Sequence, residues 1–145
     1  MIPDVAVLDT PLDVISLRSL VSDPAAGAIV IFEGVARNHH QDQAVESLAY
    51  EAFIPMAEAE LQRLRTESMD RFGLCGCAIH HRIGRVPLLE AAVVIAVSSA
   101  HRKEAFEAAA WLMDSIKERV PIWKLEKYQQ GGDAWVEGAE RHPSI

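Results

Sequence analysis

The sequence predicts an α+β fold with a mixed, largely antiparallel sheet. Short β-branched runs, typical of strands, alternate along the chain with longer segments whose apolar residues repeat at helical spacing. In order, these segments give β-α-β-β-α-β-β-α-β-β, and such consecutive αββ units favour an antiparallel or mixed sheet. The chain has 145 residues, 50% of them hydrophobic, which is enough for a substantial core. No repeat or linker interrupts the sequence, so we expect one domain over residues 1–145.

Three strands and two helices are predicted in the first half of the chain. The strands are rich in β-branched residues or alternate apolar with polar residues, and a polar segment before the third strand should be a loop. Thr10-Pro11 is typical of a helix start, and Pro55 suits the first turn of a second helix with one apolar face. In order, the elements are strand Val5–Leu8, helix 10–21, strand Gly27–Val35, loop Arg37–Gln43, strand Val45–Phe53 and helix Pro55–Phe72.

The second half is predicted to contain four strands and one long helix. The continuous apolar run at Ala91–Ser98 indicates a strand that is buried on both faces. The helix repeats its apolar residues at helical spacing, and its expected buried face is Ala105, Phe106, Ala109, Met113 and Ile116. In order, the elements are strand Gly73–Gly84, a loop through Pro87, strand Ala91–Ser98, helix His101–Arg119, and strands Ile122–Tyr128 and Ala134–Val136 around a Gly131-Gly132 turn.

The net charge and the apolar runs exclude several classes of partner. Fourteen Lys and Arg against 21 Asp and Glu give −7, which argues against nucleic acid and anionic membrane surfaces. The longest apolar run, Ala91–Val97, is too short to span a bilayer, and no signal peptide is visible, so we expect a cytoplasmic protein. Cys75 and Cys77 are expected to be small buried thiols, since a disulfide so close in sequence is strained.

The cations are concentrated in one segment. Residues 98–127 carry six Lys or Arg and five Asp or Glu, a net charge of +1, which leaves −8 for the rest of the chain. At its start, Ser98-Ser99-Ala100-His101-Arg102 lies where a buried strand leads into a helix. The free amides and dipole of a helix N-terminus favour an anion, and His101 and Arg102 would add charge. The alternative is that the serines only cap the helix and Arg102 is solvated.

Two lysines and an arginine are further candidates. Lys117 lies in the last turn of the long helix, where it can simply stabilise the terminal carbonyls. Lys124 and Glu126 share one face of the next strand, either as an exposed pair of little energetic value or as a lysine whose pKa the carboxylate tunes. Arg37 directly follows the strand that ends at Val35.

A metal site is not expected. The two His-His pairs, at residues 39–40 and 80–81, are adjacent in sequence, and adjacent strand residues point to opposite faces. The typical ligand spacings of zinc sites are absent near them. We therefore predict neither a metal nor a cofactor.

Six segments together resemble the catalytic (large) subunit of molybdopterin synthase. They occur in the same order from about Gly27 to Gly138, and the combination of SSAHR with the later KERVPIWKLE is highly specific. The segments are GVARN, YEAFIPMAE, IHHRIGRVP, VVIAVSSAHRKEAFEAA, MDSIKERVPIWKLE and DAWVEG. The first 26 residues contribute little to the resemblance.

The resemblance implies a fold, an activity and partners. The family has an α/β-hammerhead fold and converts cyclic pyranopterin monophosphate into molybdopterin, the dithiolene ligand of the molybdenum cofactor. Its sulfur comes from the thiocarboxylated C-terminal glycine of a small ubiquitin-like carrier subunit. The assembly is a heterotetramer around a dimer of large subunits. The resemblance thus implies a cytoplasmic sulfurtransferase with no cofactor of its own.

The resemblance also assigns roles to residues. It places catalysis on Lys117 and Lys124, which would engage the thiocarboxylate, stabilise oxyanions and shuttle protons. The remaining matched positions would bind substrate, with arginine forks and His101 suited to phosphate and pterin; they are Val35, Ala36, Arg37, His101, Arg102, Leu125 and Glu126. Some relatives have an arginine just after WVE, and the nearest cation here is Arg141.

A second hypothesis belongs to another functional class. A non-catalytic module of the same fold could bind a ubiquitin-like tail or an anionic metabolite. Retention of both Lys117 and Lys124 favours catalysis, because binding alone does not require two lysines at these positions.

Overall fold

The fold of the computed structural model is built from three helices and two sheets. The structure describes residues 2–40, 43–128 and 131–137. In chain order the elements are β1 (Val5–Leu8), α1 (Val14–Val21), β2 (Ala28–Val35), β3 (His39–His40), β4 (Gln43–Ala52), α2 (Ile54–Phe72), β5 (Gly76–Arg82), β6 (Gly84–Val86), β7 (Ala91–Ser99), α3 (Arg102–Arg119), β8 (Ile122–Tyr128) and β9 (Asp133–Glu137). The order agrees with the predicted one except for two additional short strands, β3 and β6.

The first sheet has the strand order β1-β5-β7-β2. Its β1–β5 pair is parallel, and its β5–β7 and β2–β7 pairs are antiparallel. Strand β7 is buried on both faces, as its continuous apolar run predicts. Val93, Ile95 and Val97 pack against α2 and α3, whereas Val94 and Ala96 pack against α1. This alternation places helices on both faces of the sheet and confirms the mixed, largely antiparallel α+β class.

The second sheet is antiparallel, with the order β3-β4-β8-β9 and with β6 also paired to β4. It joins the body of the protein through a small cluster of apolar residues at the end of β2 and the start of β7. The cluster consists of Ala36, Val45, Leu48, Val86 and Ala92, with Tyr50 and Tyr128 packed against it. The second sheet thus lies beside the end of the first sheet at which β2 finishes.

Three local predictions are wrong. Helix α1 begins at Val14 and not near Thr10, because the Asp13 carboxylate accepts a hydrogen bond from the Ser16 amide at 3.1 Å and so caps the helix. The segment expected to be a loop contains β3, which pairs with the start of β4. The segment between Ile83 and Pro87 forms β6, since β4 supplies an antiparallel partner that the local sequence does not reveal.

The buried face of α3 also differs from the expected one. Ala105, Ala109 and Ile116 are buried as predicted, and Ala108 and Leu112 join them. Phe106, which was expected in the core, is 61% exposed. Its position lies one residue beyond the face that meets the sheet, so helical spacing alone did not exclude it. A large apolar side chain is thus left on the surface near the start of α3.

Candidate functional site

The first group of candidate residues lies at the N-terminal end of α3. A cavity of about 420 Å³ is lined there by Gly27, Ala100, His101, Arg102 and Lys103. The start of β2 approaches the end of β7 closely, and a Cβ at Gly27 would lie 2.5 Å from the Ala100 carbonyl oxygen. Glycine is therefore required by space at this position. The cavity combines the amide end of a helix with basic side chains, an arrangement suited to an anion.

The two serines before the helix do not cap it. Ser98 Oγ donates to the Val21 carbonyl at 2.6 Å, and Ser99 Oγ donates to the His101 carbonyl. The N-cap residue is His101, which has an extended backbone and makes no side-chain cap hydrogen bond. The serine-cap alternative is therefore wrong. The serines instead fix the turn that presents His101 and Arg102, both of which are exposed.

The second group lies on β8, on the face that points into the protein. Lys124 Nζ is 3.9 Å from Glu126 Oε2, and their side chains are 17% and 3% exposed. Across the strand pair, Lys124 lies opposite Tyr50 and Glu126 lies opposite Leu48. The surface-pair alternative for Lys124 and Glu126 is wrong, because the closure of β8 against β4 turns this face toward the core.

Leu125 lies on the other face of β8. Directly opposite residues of an antiparallel pair share a face, and Leu125 pairs with Ala49, both of them half-buried. A ligand on the Lys124 face would not contact the Leu125 side chain.

The surroundings of Glu126 contain aromatic and imidazole groups that keep it away from water. Tyr128 Oη donates a hydrogen bond to Glu126 Oε1 at 3.2 Å. Burial, together with the charge of Glu126, raises the pKa of Tyr50 to about 12, so its phenol stays protonated. The ring of Tyr50 makes an edge contact with the ring of His81, with centroids 5.2 Å apart.

His81 completes the buried wall behind the lysine. Burial lowers its pKa to about 4, so the imidazole is neutral near pH 7. Its Nδ1–H donates to the Arg82 carbonyl at 2.9 Å, and a carbonyl acceptor requires the proton on Nδ1. Sequence reasoning missed this role for Tyr50, His81 and Tyr128. The alternation of β4 does place Tyr50 on the inner face, but nothing local identifies β8 as its neighbour.

The remaining predicted residues lie at the same end of the sheet as Lys124. Ala36 is buried, and its amide and carbonyl hydrogen-bond Glu90 O and Leu89 N at 3.0 and 2.9 Å, which fixes the backbone just before the exposed Arg37. Val35 is 50% exposed. Lys117 is half-buried in the last turn of α3.

One chain does not bring all the candidate residues together. Strand β2 starts beside His101 and ends just before Arg37, and seven residues of strand separate these ends by about 23 Å. Along α3, the rise over the 15 steps from Arg102 to Lys117 corresponds to about 22 Å. The candidates therefore form a helix-start group at the N-terminal end of α3, beside one end of the first sheet, and a lysine group at the other end. Arg37 belongs to the lysine end.

Other sequence-based expectations can be compared with the structure. Cys77 is buried, which raises the pKa of its thiol to about 11, and Cys75 is half-buried. Within residues 2–40, 43–128 and 131–137, no group of three or more His, Cys, Asp or Glu side chains could hold a metal ion. No helix of the described part of the chain is long and apolar enough to cross a membrane. Arg141 lies outside the described residues.

Comparison with known proteins gives consistent matches. The family model described as MoaE protein matches residues 7–119. A molybdopterin synthase catalytic subunit from Pyrococcus abyssi is 45% identical over 88% of this chain and 84% of the relative, and one from Bos taurus is 42% identical over 89% and 68%. The crystal structure of molybdopterin synthase from Staphylococcus aureus superposes with a TM-score of 0.87 at 36% identity, covering 94% of this chain and 98% of that chain.

Proposed function

This chain belongs to the MoaE family, and we propose that it transfers sulfur from the thiocarboxylated C-terminus of a small ubiquitin-like carrier to cyclic pyranopterin monophosphate. Its role is enzymatic and lies in the synthesis of molybdopterin, within molybdenum cofactor biosynthesis. The observation that carries the proposal is the inward-facing Lys124, held beside the buried Glu126. The reaction takes place in the cytoplasm, as the sequence predicts.

The lysine end suits acyl chemistry. The thiocarboxylate sulfur of the carrier forms a bond to a carbon of the pterin side chain as a carbon–oxygen bond at that carbon breaks, and the departing oxygen takes up a proton. Water then attacks the acyl carbon of the resulting thioester, which breaks the bond between the acyl carbon and sulfur and leaves the sulfur on the pterin and a carboxylate on the carrier. The departing oxygen of the first step and the acyl oxygen of the second step both develop negative charge, which an ammonium group stabilises. Lys124 is suited to this role because Glu126 holds its charge in place and the neutral Tyr50–His81 wall limits competing water. Lys117 would bind the thiocarboxylate or move protons.

The helix-start group suits the precursor. A cyclic phosphate needs amide donors and cations, and the start of α3 offers both through its free amides, His101 and Arg102. Arg37 would add a guanidinium at the lysine end, with Val35 and Ala36 fixing its backbone. Glu126 would then contact the pterin as well as Lys124, and Leu125 would support the strand from its other face.

The distance between the two groups of candidate residues indicates how the protein assembles. Because about 22 Å of helix separates Arg102 from Lys117, one precursor cannot contact both within one chain. A dimer of this chain, carrying one carrier on each copy in a heterotetramer, would supply both groups to each site. This expectation agrees with the family resemblance.

Reconstitution tests the proposed activity. Purified protein, thiocarboxylated carrier and cyclic pyranopterin monophosphate should yield dithiolene product. Lys124→Ala and Lys117→Ala should each lose about 10²-fold or more of the rate while retaining fold and carrier binding. Lys127→Ala is a matched control, because Lys127 is exposed on the same strand and should keep near wild-type activity.

Two results would contradict the proposal. One is full activity of Lys124→Ala and Lys117→Ala. The other is absence of product with a carrier that is active with another synthase, combined with tight carrier binding. That second result would instead support the non-catalytic binding module.

A further inference from the structure

Three polar side chains form a row on the inner face of β8. Lys124, Glu126 and Tyr128 occupy alternate positions of the strand, and alternate side chains of a strand point to the same face. The family resemblance assigns roles to Lys124 and Glu126 and none to Tyr128. The contacts of Tyr128 therefore have to be read from the structure itself.

The two oxygens of the Glu126 carboxylate face different partners. Oε1 accepts a hydrogen bond from Tyr128 Oη at 3.2 Å, whereas Oε2 lies 3.9 Å from Lys124 Nζ. The second separation exceeds that of a hydrogen bond, so charge attraction links those two atoms. Because a carboxylate is planar and rigid, a hydrogen bond at Oε1 restricts the direction in which Oε2 points. The hydroxyl of Tyr128 thus influences the geometry of the pair formed by Lys124 and Glu126.

Burial makes this restriction effective. The side chains of Glu126 and Lys124 are 3% and 17% exposed. A buried carboxylate that loses a hydrogen-bond donor is poorly compensated by water. The attraction between carboxylate and ammonium also depends more strongly on their separation in a protein interior than in water. A small rotation of the Glu126 carboxylate would therefore change the position of the Lys124 ammonium.

The side chain of Tyr128 combines two separable contacts. Burial, together with the charge of Glu126, raises the pKa of Tyr128, so its phenol is protonated near pH 7 and can donate. Its ring packs against the apolar cluster of Ala36, Val45, Leu48, Val86 and Ala92. Phenylalanine at this position would keep the ring and remove only the hydroxyl.

We infer that Tyr128 is a positioning residue for the sulfur transfer: its hydroxyl holds Glu126 Oε1, so that Oε2 faces Lys124 and keeps the ammonium where oxygen develops charge. The rate measurements that test this role rest on the proposed function. The structural measurement does not, so the two can fail separately.

The kinetics of Tyr128→Phe test the role of the hydroxyl. In reconstitution with thiocarboxylated carrier and cyclic pyranopterin monophosphate, kcat should fall about tenfold, because the ammonium is less well placed. KM for the carrier should stay within about twofold of the wild type, since the variant keeps every charged group. Wild-type kcat in Tyr128→Phe would overturn the inference, because the ring alone would then suffice, and so would a loss confined to KM.

Thr66→Val is the matched control. It also removes a single hydroxyl, which is exposed on α2 and donates to the Gln62 carbonyl at 3.1 Å. Its kcat should equal that of the wild type. An equal loss of kcat in Thr66→Val and Tyr128→Phe would overturn the inference, because the loss would not depend on the position of the hydroxyl.

A double-mutant cycle tests whether Tyr128 acts through Glu126. Glu126→Gln removes the charge that attracts Lys124, so no ion pair remains for the hydroxyl to orient. Adding Tyr128→Phe to Glu126→Gln should lower kcat, measured in single turnovers, by less than about twofold. A tenfold loss in both backgrounds would show that Tyr128 acts independently of Glu126 and would overturn the inference.

Crystal structures of the wild type and Tyr128→Phe test the arrangement without any activity. In the variant, the Glu126 carboxylate should turn away from its wild-type orientation toward Lys124. The same orientation in both structures would overturn the inference. A wild type that makes no product, together with a turned carboxylate in Tyr128→Phe, would contradict the proposed function and support the hold of Tyr128 on Glu126.

Discussion

We expect the protein to lose stability in acid because the imidazole of the buried His81 takes up a proton when the chain unfolds. In the folded state its pKa is lowered to about 4 from the ordinary histidine value of 6.5, because burial disfavours the imidazolium. The unfolded chain therefore binds a proton that the folded chain excludes across this range. The contribution of the neutral His81 to the free energy of unfolding is fully present above about pH 6.5 and is lost as the pH drops toward 4.

The magnitude follows from linkage. Integrating the proton uptake between pKa values of 6.5 and about 4 gives a loss of about 2.5 kcal/mol between pH 7.5 and pH 4.5. Carboxylates of the protein also titrate in this range, so the total pH dependence of the wild type is not specific. The difference between the wild type and a variant that lacks the imidazole isolates the contribution of His81.

The assay is urea unfolding of His81→Asn and wild type at several pH values. Asparagine does not titrate, and its side-chain amide can donate to the Arg82 carbonyl as Nδ1–H does in the wild type. At pH 7.5 we expect the variant to be about 1–2 kcal/mol less stable, because it loses packing against Tyr50. At pH 4.5 this deficit should vanish or reverse. His39→Asn, at an exposed position, should parallel the wild type. Equal pH dependence of the wild type and His81→Asn between pH 6.5 and 4.5 would refute the reasoning.

Three further expectations concern local features. Gly27→Ala should weaken phosphate binding at the start of α3 and lower the free energy of unfolding by about 1–3 kcal/mol, because its Cβ would lie 2.5 Å from the Ala100 carbonyl oxygen. Calorimetry measures the binding and thermal unfolding measures the stability. Unchanged binding and stability would contradict this expectation. Asp13→Ala should lower the free energy of unfolding measured in urea, because the α1 cap is lost, whereas Asp13→Asn should retain most of the cap. Leu112→Ala should lower the free energy of unfolding, measured with a chemical denaturant, by about 3–5 kcal/mol, because the side chain is fully buried between α3 and the sheet. A loss below about 1 kcal/mol would indicate that the core collapses around the site.

Local sequence signals identified much of the fold. Strand β1 and strand β8 have the predicted bounds, and β7 differs by one residue, because each combines β-branched residues with clear flanking signals. The errors occurred where a local signal had a stronger competitor or where pairing depended on a distant strand. Asp13 outcompeted Thr10 as the cap of α1, and β6 exists because β4 pairs with it. Phe106 fitted the helical period but falls outside the face that the sheet covers.

The residue types suggested a chemistry for the candidate site, but they did not show how its residues are grouped in space. The sequence by itself determined the fold class, the helix start at His101 and the residue types that carry the family resemblance, because these depend on local propensity and on residue identity. Only the tertiary structure decided that Glu126 is buried beside Lys124, and that the length of strand β2, about 23 Å, separates Arg37 from His101. The physical reason is that burial and proximity depend on which distant strands pair and in which direction they run. The antiparallel pairing of β2 with β7 separates Arg37 from His101, whereas the pairing of β8 with β4 turns Lys124 and Glu126 toward the core.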